Sequence, residues 1–316
     1  MAKYFAKRLL LAVPTLFGVT LLVFTMVRLI PGDIVDMLVP ADIYVGPEYR
    51  AQMRAMYGLD QPIYVQYVRW ISQVAQGNLG SSLRNNEPIA KTLITRLPLT
   101  MELAFFSVVL SALVAIPLGI VSAVKRNSVV DFVARVLAMF GLSVPSFWLA
   151  SMLLLVTSVV LHWQPDLRLV PLWQDPLTNL SQLAMPIVAL SLALMAIVMR
   201  MTRSAMLEVL RQDYMQTARA KGLLPRVIMV RHALRNAFIP VLTVLGIQIG
   251  GLLGGTVVIE QIFGLPGVGR TLLEGVTARD YPVIQGTVLF IAVVFVVVNL
   301  VVDLLYAAVD PRIKYG

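Results

Sequence analysis

Six apolar stretches of about 20 residues or more constrain this chain more than any other feature of its sequence. Each is long enough, or nearly so, for a helix to cross the hydrocarbon core of a bilayer. The apolar fraction of 58% exceeds the roughly 45–50% of ordinary soluble domains and excludes a soluble globule. We therefore predict an all-α integral membrane protein with about six transmembrane helices, at residues 9–30, 99–124, 134–161, 183–203, 237–259 and 283–309.

The distribution of charge predicts how these spans are oriented. With the N-terminus in the cytoplasm, the inner segments hold 16 of the 26 basic residues and five of the 17 acidic ones. Cytoplasmic loops of membrane proteins carry an excess of Lys and Arg. Both termini are therefore predicted to be cytoplasmic, and anionic lipid rather than nucleic acid accounts for the net charge of +9. The first span is predicted to be retained, because it outruns the apolar region of a signal peptide.

Composition argues against several classes of site. The chain has no Cys and only two His residues, which disfavours thiolate zinc sites, histidine metal cages and cysteine nucleophiles. It has neither a GxxxxGK[ST] string for binding ATP nor an HExxH string for a zinc protease. We expect no catalytic residue, no metal site and no cofactor bound by this chain.

Five prolines fall inside or at the ends of the predicted spans. Proline removes a backbone donor and tends to kink a helix. Kinked spans suit a bundle that lines a cavity, although simple packing tolerates the same residues. They are Pro14, Pro117, Pro145, Pro186 and Pro240.

Residues 31–98 form one long segment that the predicted orientation places outside the cell. Pro and Gly residues bracket two short helices in it, at 47–58 and 62–77. The second repeats apolar residues at helical intervals, a face that would lie on the membrane surface, cover a pore mouth or pack against the outer loops. Its members are Ile63, Tyr67, Trp70, Ile71 and Val74.

The stretch at 203–236 is a long, basic and cytoplasmic loop in the predicted orientation. Loops between elements are usually short, so an ordered insertion of this length indicates a docking function. Its apolar residues recur at intervals of three and four, which predicts that the fourth span continues inward as one helix. That face consists of Leu207, Leu210, Tyr214 and Ala218.

The tip of this loop, at residues 218–222, combines small side chains with two cations. Gly222 is predicted to end the helix in a left-handed cap, and Pro225 to open the next helix. Small side chains allow the backbone of another protein to approach closely, while Arg219 and Lys221 suit carboxylates there. The alternative is a solvated basic loop held against anionic lipid.

Two strings in this loop carry a family resemblance: TARAKG at 217–222 and HALRNA at 232–237. They resemble the cytoplasmic signature of binding-protein-dependent ABC importer permeases, in the dipeptide, oligopeptide, nickel and glutathione branch. The general form of that signature is Glu Ala Ala, three residues, Gly, nine residues, then Ile, any residue, Leu and Pro. This chain matches it only at Ala218, Gly222 and Leu234.

Seven further segments extend the resemblance over nearly the whole chain. Each is weak evidence alone, but all follow the order expected of the family. They are IPGD at 30–33, YGLDQP at 57–62, GNLGSS at 77–82, RMTRSAMLEVL at 200–210, FGLPGVGR at 263–270, RDYPVIQG at 279–286 and NLVVDLLYAAVDPRI at 299–313.

The resemblance implies a type I ABC importer permease fold in a bacterial inner membrane, together with a set of partners. These are a second, homologous permease, two cytoplasmic ATPases that bind ATP and Mg, and a periplasmic or lipid-anchored solute-binding protein. The loop at 203–236 would be a coupling helix that fits a groove on one ATPase. Its coupling residues would be Thr217, Ala218, Arg219, Ala220, Lys221, Gly222 and Leu223.

The predicted spans, together with the resemblance, give an organisation in five segments. They are the N-terminus and first span at 1–30, a periplasmic helical segment at 31–98, spans two to four at 99–202, the coupling-helix loop at 203–236, and spans five and six with a cytoplasmic C-terminus at 237–316.

The transported solute stays open at this stage. Dipeptide, oligopeptide, glutathione and nickel-chelate importers share these motifs. An ion-coupled secondary transporter is a less favoured alternative, because it would more often show matched halves, broken helices and an ionisable group at the midplane. A membrane scaffold would leave the cytoplasmic loop without a purpose.

A glycine pattern marks the fifth predicted span. Gly246, Gly250 and Gly254 recur at every fourth residue, a face that allows close helix contact or leaves room for solute. Gln248 lies on a different face and is a candidate to hydrogen-bond a peptide group.

Asp303 is the charged candidate of the sixth predicted span. Charges inside membranes find partners, so we interpret it as half of a structural ion pair with Arg200 or Arg203 rather than as a proton relay.

Replacing Asp303 by Asn should therefore lower the yield of assembled complex more than it lowers any proton dependence of uptake. The measurement compares purified complex with uptake in the presence and absence of a pH gradient. Normal assembly with a lost proton dependence would reverse the assignment.

Overall fold

The computed structural model describes residues 2–29, 35, 46–163, 168–224 and 227–309. These residues are mainly helical, with an isolated antiparallel bridge between Ser81 and Pro88. The α-helices in chain order are α1 (Ala2–Leu29), α2 (Pro47–Met56), α3 (Ile63–Ala75), α4 (Ile89–Val124), α5 (Val129–Ser143), α6 (Ser146–Val159), α7 (Pro176–Leu210), α8 (Asp213–Ala220), α9 (Arg235–Ile262), α10 (Val268–Thr277) and α11 (Tyr281–Val309), and a π-helix, Ile228–Leu234, directly precedes α9.

Five helical stretches among the described residues are long and apolar enough to cross a membrane. They lie in α1, α4, α7, the π-helix joined to α9, and α11. Helices α5 and α6 pass the same test together, although the pair is bent by 98°. Counting that pair as one span gives six, so the prediction of an all-α chain with about six transmembrane helices is confirmed.

The third predicted span, 134–161, is two helices rather than one. Helix α5 ends at Ser143, and Val144 adopts an extended backbone with ψ of 119°. Pro145 then precedes α6 with ψ of 137°. Proline lacks a backbone donor and disfavours helical backbone in the residue before it, so the chain breaks here instead of kinking. The other four prolines of the predicted spans lie within helices α1, α4, α7 and α9.

Helix α7 begins seven residues before the predicted start of its span because its N-terminus is capped. The Asp175 carboxylate accepts hydrogen bonds from the hydroxyl of Thr178 and from the backbone N–H groups of Leu177 and Thr178. These bonds hold the pKa of Asp175 below its ordinary value, and the bond from the Thr178 hydroxyl contributes most. Pro176 occupies the first turn, where a missing N–H costs nothing.

The two short helices predicted in the outer segment are confirmed as α2 and α3. Pro47 opens α2, and Gly58 follows its end with φ of +66°. Gly77 follows α3 with φ of +79°. Both glycines supply the left-handed backbone that lets the chain leave a helix.

The aromatic face of α3 packs against α1. The Phe24 ring lies 5.1 Å from that of Tyr67 and 5.9 Å from that of Trp70. The Tyr67 hydroxyl is 2.8 Å from the Thr20 hydroxyl, so the buried polar end of the ring is satisfied. Ile63, at the start of the predicted face, is 65% exposed. Packing on a span, rather than on the outer loops, is therefore the role of its aromatic part.

The chain divides into two compact units, Met1–Pro98 with Pro266–Val297, and Leu99–Leu265 with Val298–Gly316. In the first unit, Ile89, Leu93 and Val268 form one buried cluster, and Val27, Tyr281 and Ile284 form another.

Helix α7 is the centre of the second unit. Buried along it are Leu183, Leu190, Leu194 and Val198, which belong to two clusters shared with neighbouring helices. In its most apolar window, 67% of the residues are buried inside the chain. A span this buried among other helices is a core element, unlike a lipid-facing span.

Gly119 allows α4 to lie directly on α7. A Cβ atom added there would stand 2.6 Å from Thr202 Cβ and 2.8 Å from the Met199 carbonyl oxygen. Membrane helices use small residues in this way, because close backbone approach is what holds them together.

Replacing Gly119 by Ala should destabilise the folded chain by about 1–3 kcal/mol, the usual cost of overpacking. Thermal unfolding in detergent measures the effect. The matched control is Gly18→Ala, because a Cβ at Gly18 meets no atom within 4 Å. Equal unfolding temperatures for both variants would contradict the close approach of α4 to α7.

Candidate coupling site

The predicted cytoplasmic loop contains a separate helix, α8, rather than an extension of α7. Helix α7 ends at Leu210, and Gln212 adopts extended backbone with ψ of 146° before α8 starts at Asp213. The prediction that one helical face runs from Leu207 to Ala218 is therefore wrong. The chain turns at 211–212, so Leu207, Leu210 and Ala218 reach a common core from two helices, whereas Tyr214 is exposed.

Two side chains of α8 anchor it to the second unit. Met215 is fully buried, and Ala218 is 8% exposed. They lie on one side of the helix, at the three-residue spacing that brings side chains together. The cluster that receives them, called here the α8 seat, consists of Ala123, Ala205, Met206, Ile228, Ala233 and Ala237.

This seat changes the interpretation of Ala218. The sequence suggested that its small side chain leaves room for the backbone of a partner, but it packs inside its own chain. The other predicted coupling residues are exposed: Thr217, Arg219, Ala220, Lys221, Gly222 and Leu223. Helix α8 therefore presents an outer surface with two cations and keeps its apolar contacts inward.

Gly222 ends this segment as predicted. Its φ is +72°, and its backbone N–H donates to the Arg219 carbonyl at 3.0 Å. A Cβ atom there would meet nothing within 4 Å. Glycine is thus required by the left-handed backbone and not by crowding. Pro225, the predicted start of the next helix, lies outside the described residues.

A π-helix occupies the next segment, which sequence reasoning did not anticipate. It contributes Ile228 and Ala233 to the α8 seat. Asn236, the second residue after the π-helix, donates a hydrogen bond from Nδ2 to the Tyr214 hydroxyl at 3.0 Å. π-Helices are rare and occur frequently at functional sites. Through the bond from Asn236 to Tyr214, the start of α9 contacts α8.

A buried ion pair lies beside the seat and joins three helices. The Asp131 carboxylate of α5, fully buried, accepts hydrogen bonds from Arg203 Nε at 2.8 Å and Nη2 at 2.9 Å. The Ser122 hydroxyl donates to the same carboxylate at 2.6 Å. Because Ser122 lies in α4 and Arg203 in α7, one carboxylate connects the ends of α4, α5 and α7. We call these three residues the ionic clamp.

Sequence reasoning missed this clamp. It offered Arg203 only as a partner for Asp303. The local signal was Ser128 three residues before Asp131, a helix-start pattern in which the Ser128 hydroxyl accepts from the Asp131 N–H at 3.3 Å. That pattern predicts where α5 begins, but not a partner 72 residues further along the chain. The pairing of half-buried Asp303 with Arg200 or Arg203 stays a prediction.

The glycine face of α9 is divided between the interior and the surface. Gly246 and Gly250 are buried, whereas Gly254 is exposed and a Cβ added to it meets no atom within 4 Å. Gln248 is half-buried. The inner part of the face is consistent with close packing. A role in a solute pathway stays a prediction for all four residues.

A polar cavity of about 340 Å³ lies in the first unit. Arg96 donates to the Thr271 hydroxyl at 2.9 Å and to the Glu274 carboxylate at 3.0 Å along one wall. Near another wall, Asp280 accepts from the Ser82 hydroxyl at 2.7 Å. Arg96 and Glu274 thus pair with each other, and Asp280 is held by Ser82, so these three charged groups already have partners within the chain.

Comparison with known proteins extends over the whole chain. The profile of the family described as binding-protein-dependent transport system inner membrane component matches residues 115–315, and that of its N-terminal part matches residues 1–104. The di/tripeptide transport system permease protein DppB of Pseudomonas aeruginosa is 41% identical, covering 100% of this chain and 99% of that protein. The glutathione transport system permease protein GsiC of Salmonella paratyphi A is 42% identical, covering all of both chains.

Two solved structures share the fold. A chain of the MetNI methionine ABC transporter, in an inward-facing conformation, matches with a TM-score of 0.56 at 18% identity, covering 69% of this chain and 96% of that one. An amino acid ABC transporter matches with a TM-score of 0.51 at 17% identity, covering 77% and 98%. At these identities the likeness concerns the fold alone. The family profiles and the full-length relatives establish that this chain belongs to the family of binding-protein-dependent ABC importer permeases.

Proposed function

We propose that this chain is one of two permease subunits of an ABC importer that moves peptides into the cytoplasm, and that α8 is its coupling helix. The observation that carries the proposal is a short helix seated on a buried core at the junction of α7 and α9, with two exposed cations at its C-terminal end, Arg219 in the helix and Lys221 at its cap. A force on such a helix reaches two membrane spans at once.

The proposed complex contains a second homologous permease, two ATP-binding subunits and a solute-binding protein. ATP and Mg bind to the ATP-binding subunits. Closure of those subunits displaces α8, and the displacement passes through Met215 and Ala218 into the seat. Packed helix interfaces switch between discrete arrangements rather than deforming continuously. A small displacement at the ends of the spans therefore opens one side of a pathway and closes the other.

Peptides are proposed as the solute because the full-length relatives at 41% identity include a di/tripeptide permease. Glutathione is the second candidate, since a glutathione permease is similar to the same degree. Uptake of radiolabelled dipeptide and of radiolabelled glutathione into proteoliposomes that hold the whole complex separates the two. Uptake of glutathione without uptake of dipeptide would favour the second candidate.

The proposal requires α8 to face the cytoplasm. The chain has no Cys, so a single Cys at Ala220, which is exposed, reports the position of α8. A membrane-impermeant maleimide should label Ala220→Cys only after the cells are permeabilised. The control is Asn85→Cys, exposed in the segment predicted to lie outside, which should react in intact cells. Labelling of Ala220→Cys in intact cells would overturn the orientation and the coupling role together.

Replacing Gly222 by Ala should uncouple transport from ATP hydrolysis. Left-handed backbone costs a non-glycine residue about 1–2 kcal/mol, so the end of α8 shifts while its seat remains intact. In reconstituted complexes we expect ATP hydrolysis to continue and solute uptake per ATP to fall.

The matched control for this variant is Gly77→Ala in the outer segment. Gly77 has φ of +79° and, like Gly222, has no atom within 4 Å of an added Cβ. The backbone penalty is the same, but the site is far along the chain from α8. Equal uptake per ATP in the two variants would count against α8 as the coupling element.

A further inference from the structure

The ionic clamp and the α8 seat are neighbouring layers on the same helices. Ser122 of the clamp is followed directly by Ala123 of the seat. Arg203 of the clamp is likewise followed within three residues by Ala205 and Met206 of the seat. Any displacement of α8 that moves the seat therefore acts on the residues that hold Asp131.

The geometry of the clamp fixes the orientation of Arg203 relative to Asp131. Arg203 offers Nε and Nη2 to the two carboxylate oxygens of Asp131, at 2.8 and 2.9 Å. Two parallel hydrogen bonds from a planar guanidinium define an orientation as well as an attraction. The Ser122 hydroxyl and the Asn127 backbone N–H occupy the remaining positions on the carboxylate, at 2.6 and 3.0 Å.

The rest of the contact between α5 and α7 is made by small residues on the α5 side. The side of α5 that is buried carries Ala134, Ala138 and Gly141. A Cβ at Gly141 would stand 3.2 Å from the Leu192 carbonyl oxygen, so the two helices lie close together there. Burial of apolar groups is non-directional, whereas the clamp adds hydrogen bonds that run from Arg203 to Asp131 in one orientation.

Stability alone is a poor explanation for a buried ion pair. Removing two charges from water is costly, and well-packed apolar residues often serve the folded state equally well. Such pairs are best attested where a particular arrangement has to be specified.

We propose that Asp131 and Arg203, with Ser122, are positioning residues for coupling. They make α5, the first arm of the bent span, move as one body with α4, α7 and α8. This inference rests on the proposed coupling role of α8. Without the clamp, α7 would still respond to α8, but α5 would lose its hydrogen bonds to α7 and would follow the displacement less closely.

The first test uses Arg203→Lys in the reconstituted complex with its ATPases and binding protein. Lysine keeps the charge but cannot offer two parallel donors. We expect a normal yield of complex and ATP hydrolysis near that of the wild type. Uptake per ATP hydrolysed should fall about ten-fold, which lies within the roughly 5- to 150-fold effects of typical coupling between sites. Wild-type uptake per ATP in this variant would overturn the inference.

The second test separates positioning from the penalty of a lone buried charge. The double variant Asp131→Asn with Arg203→Met removes both charges, so neither is left unpaired. The reference is the single variant Asp131→Asn, in which Arg203 has lost its carboxylate partner. Compared with it, a purely structural role predicts that thermal stability and uptake per ATP both rise towards wild-type values in the double variant. The positioning role predicts that stability returns and uptake per ATP stays low.

Arg135 provides the matched control. It also approaches Asp131, at 3.6 Å, but its side chain is 48% exposed against 19% for Arg203. Arg135→Gln should leave uptake per ATP unchanged. A loss equal to that of Arg203→Lys would show a general charge effect and overturn the assignment to the clamp.

The wild-type complex distinguishes failure of this inference from failure of the proposed function. If its uptake does not depend on ATP, the coupling role of α8 is wrong, and the inference that rests on it falls too. If wild-type uptake depends on ATP and the clamp variants remain fully coupled, only the inference is overturned.

Discussion

An eight-residue helix is not stable in water by itself, because nucleation costs more than so few hydrogen bonds return. Helix α8 has that length, and what makes it persist is the burial of Met215 and Ala218 in the seat. The same contact orients its outer surface, since fixing one side of a helix fixes the other. Every functional property proposed for this chain depends on that small apolar contact between α8 and the ends of two spans.

The bilayer favours carboxylates that are paired within the protein. Hydrocarbon offers no hydrogen bonds, so a buried carboxylate needs partners from its own protein. Asp131 finds four donor groups. The buried Glu260 accepts from the Thr100 hydroxyl at 2.7 Å. In both cases the partner comes from another helix, so satisfying a charge also decides which helices stay together.

The parts of the fold that were predictable from sequence depend on local chemistry. Apolar length predicts the spans, proline and glycine predict the ends of α2 and α3, and glycine predicts the left-handed turn at Gly222. The break at 211–212, the π-helix at Ile228–Leu234 and the ionic clamp were not predictable. Each depends on contacts between residues far apart in sequence, where helical periodicity carries no information about the partner. The break before α6 was predictable in part. Pro145 indicates its position, but not the 98° angle between α5 and α6.

The string TARAKG shows how one motif meets two demands. Ala218 is small because the seat encloses it within its own chain, whereas Ala220, two residues later, is small on the exposed surface where the proposed ATPase contact lies. Residues two apart on a helix face different directions, so the alternation follows from geometry. A larger residue at Ala218 would disturb the seat, and one at Ala220 would disturb the outer surface. The motif therefore joins an internal packing requirement to an external docking surface, which is what a helix must combine if it is to pass a displacement from one protein into another.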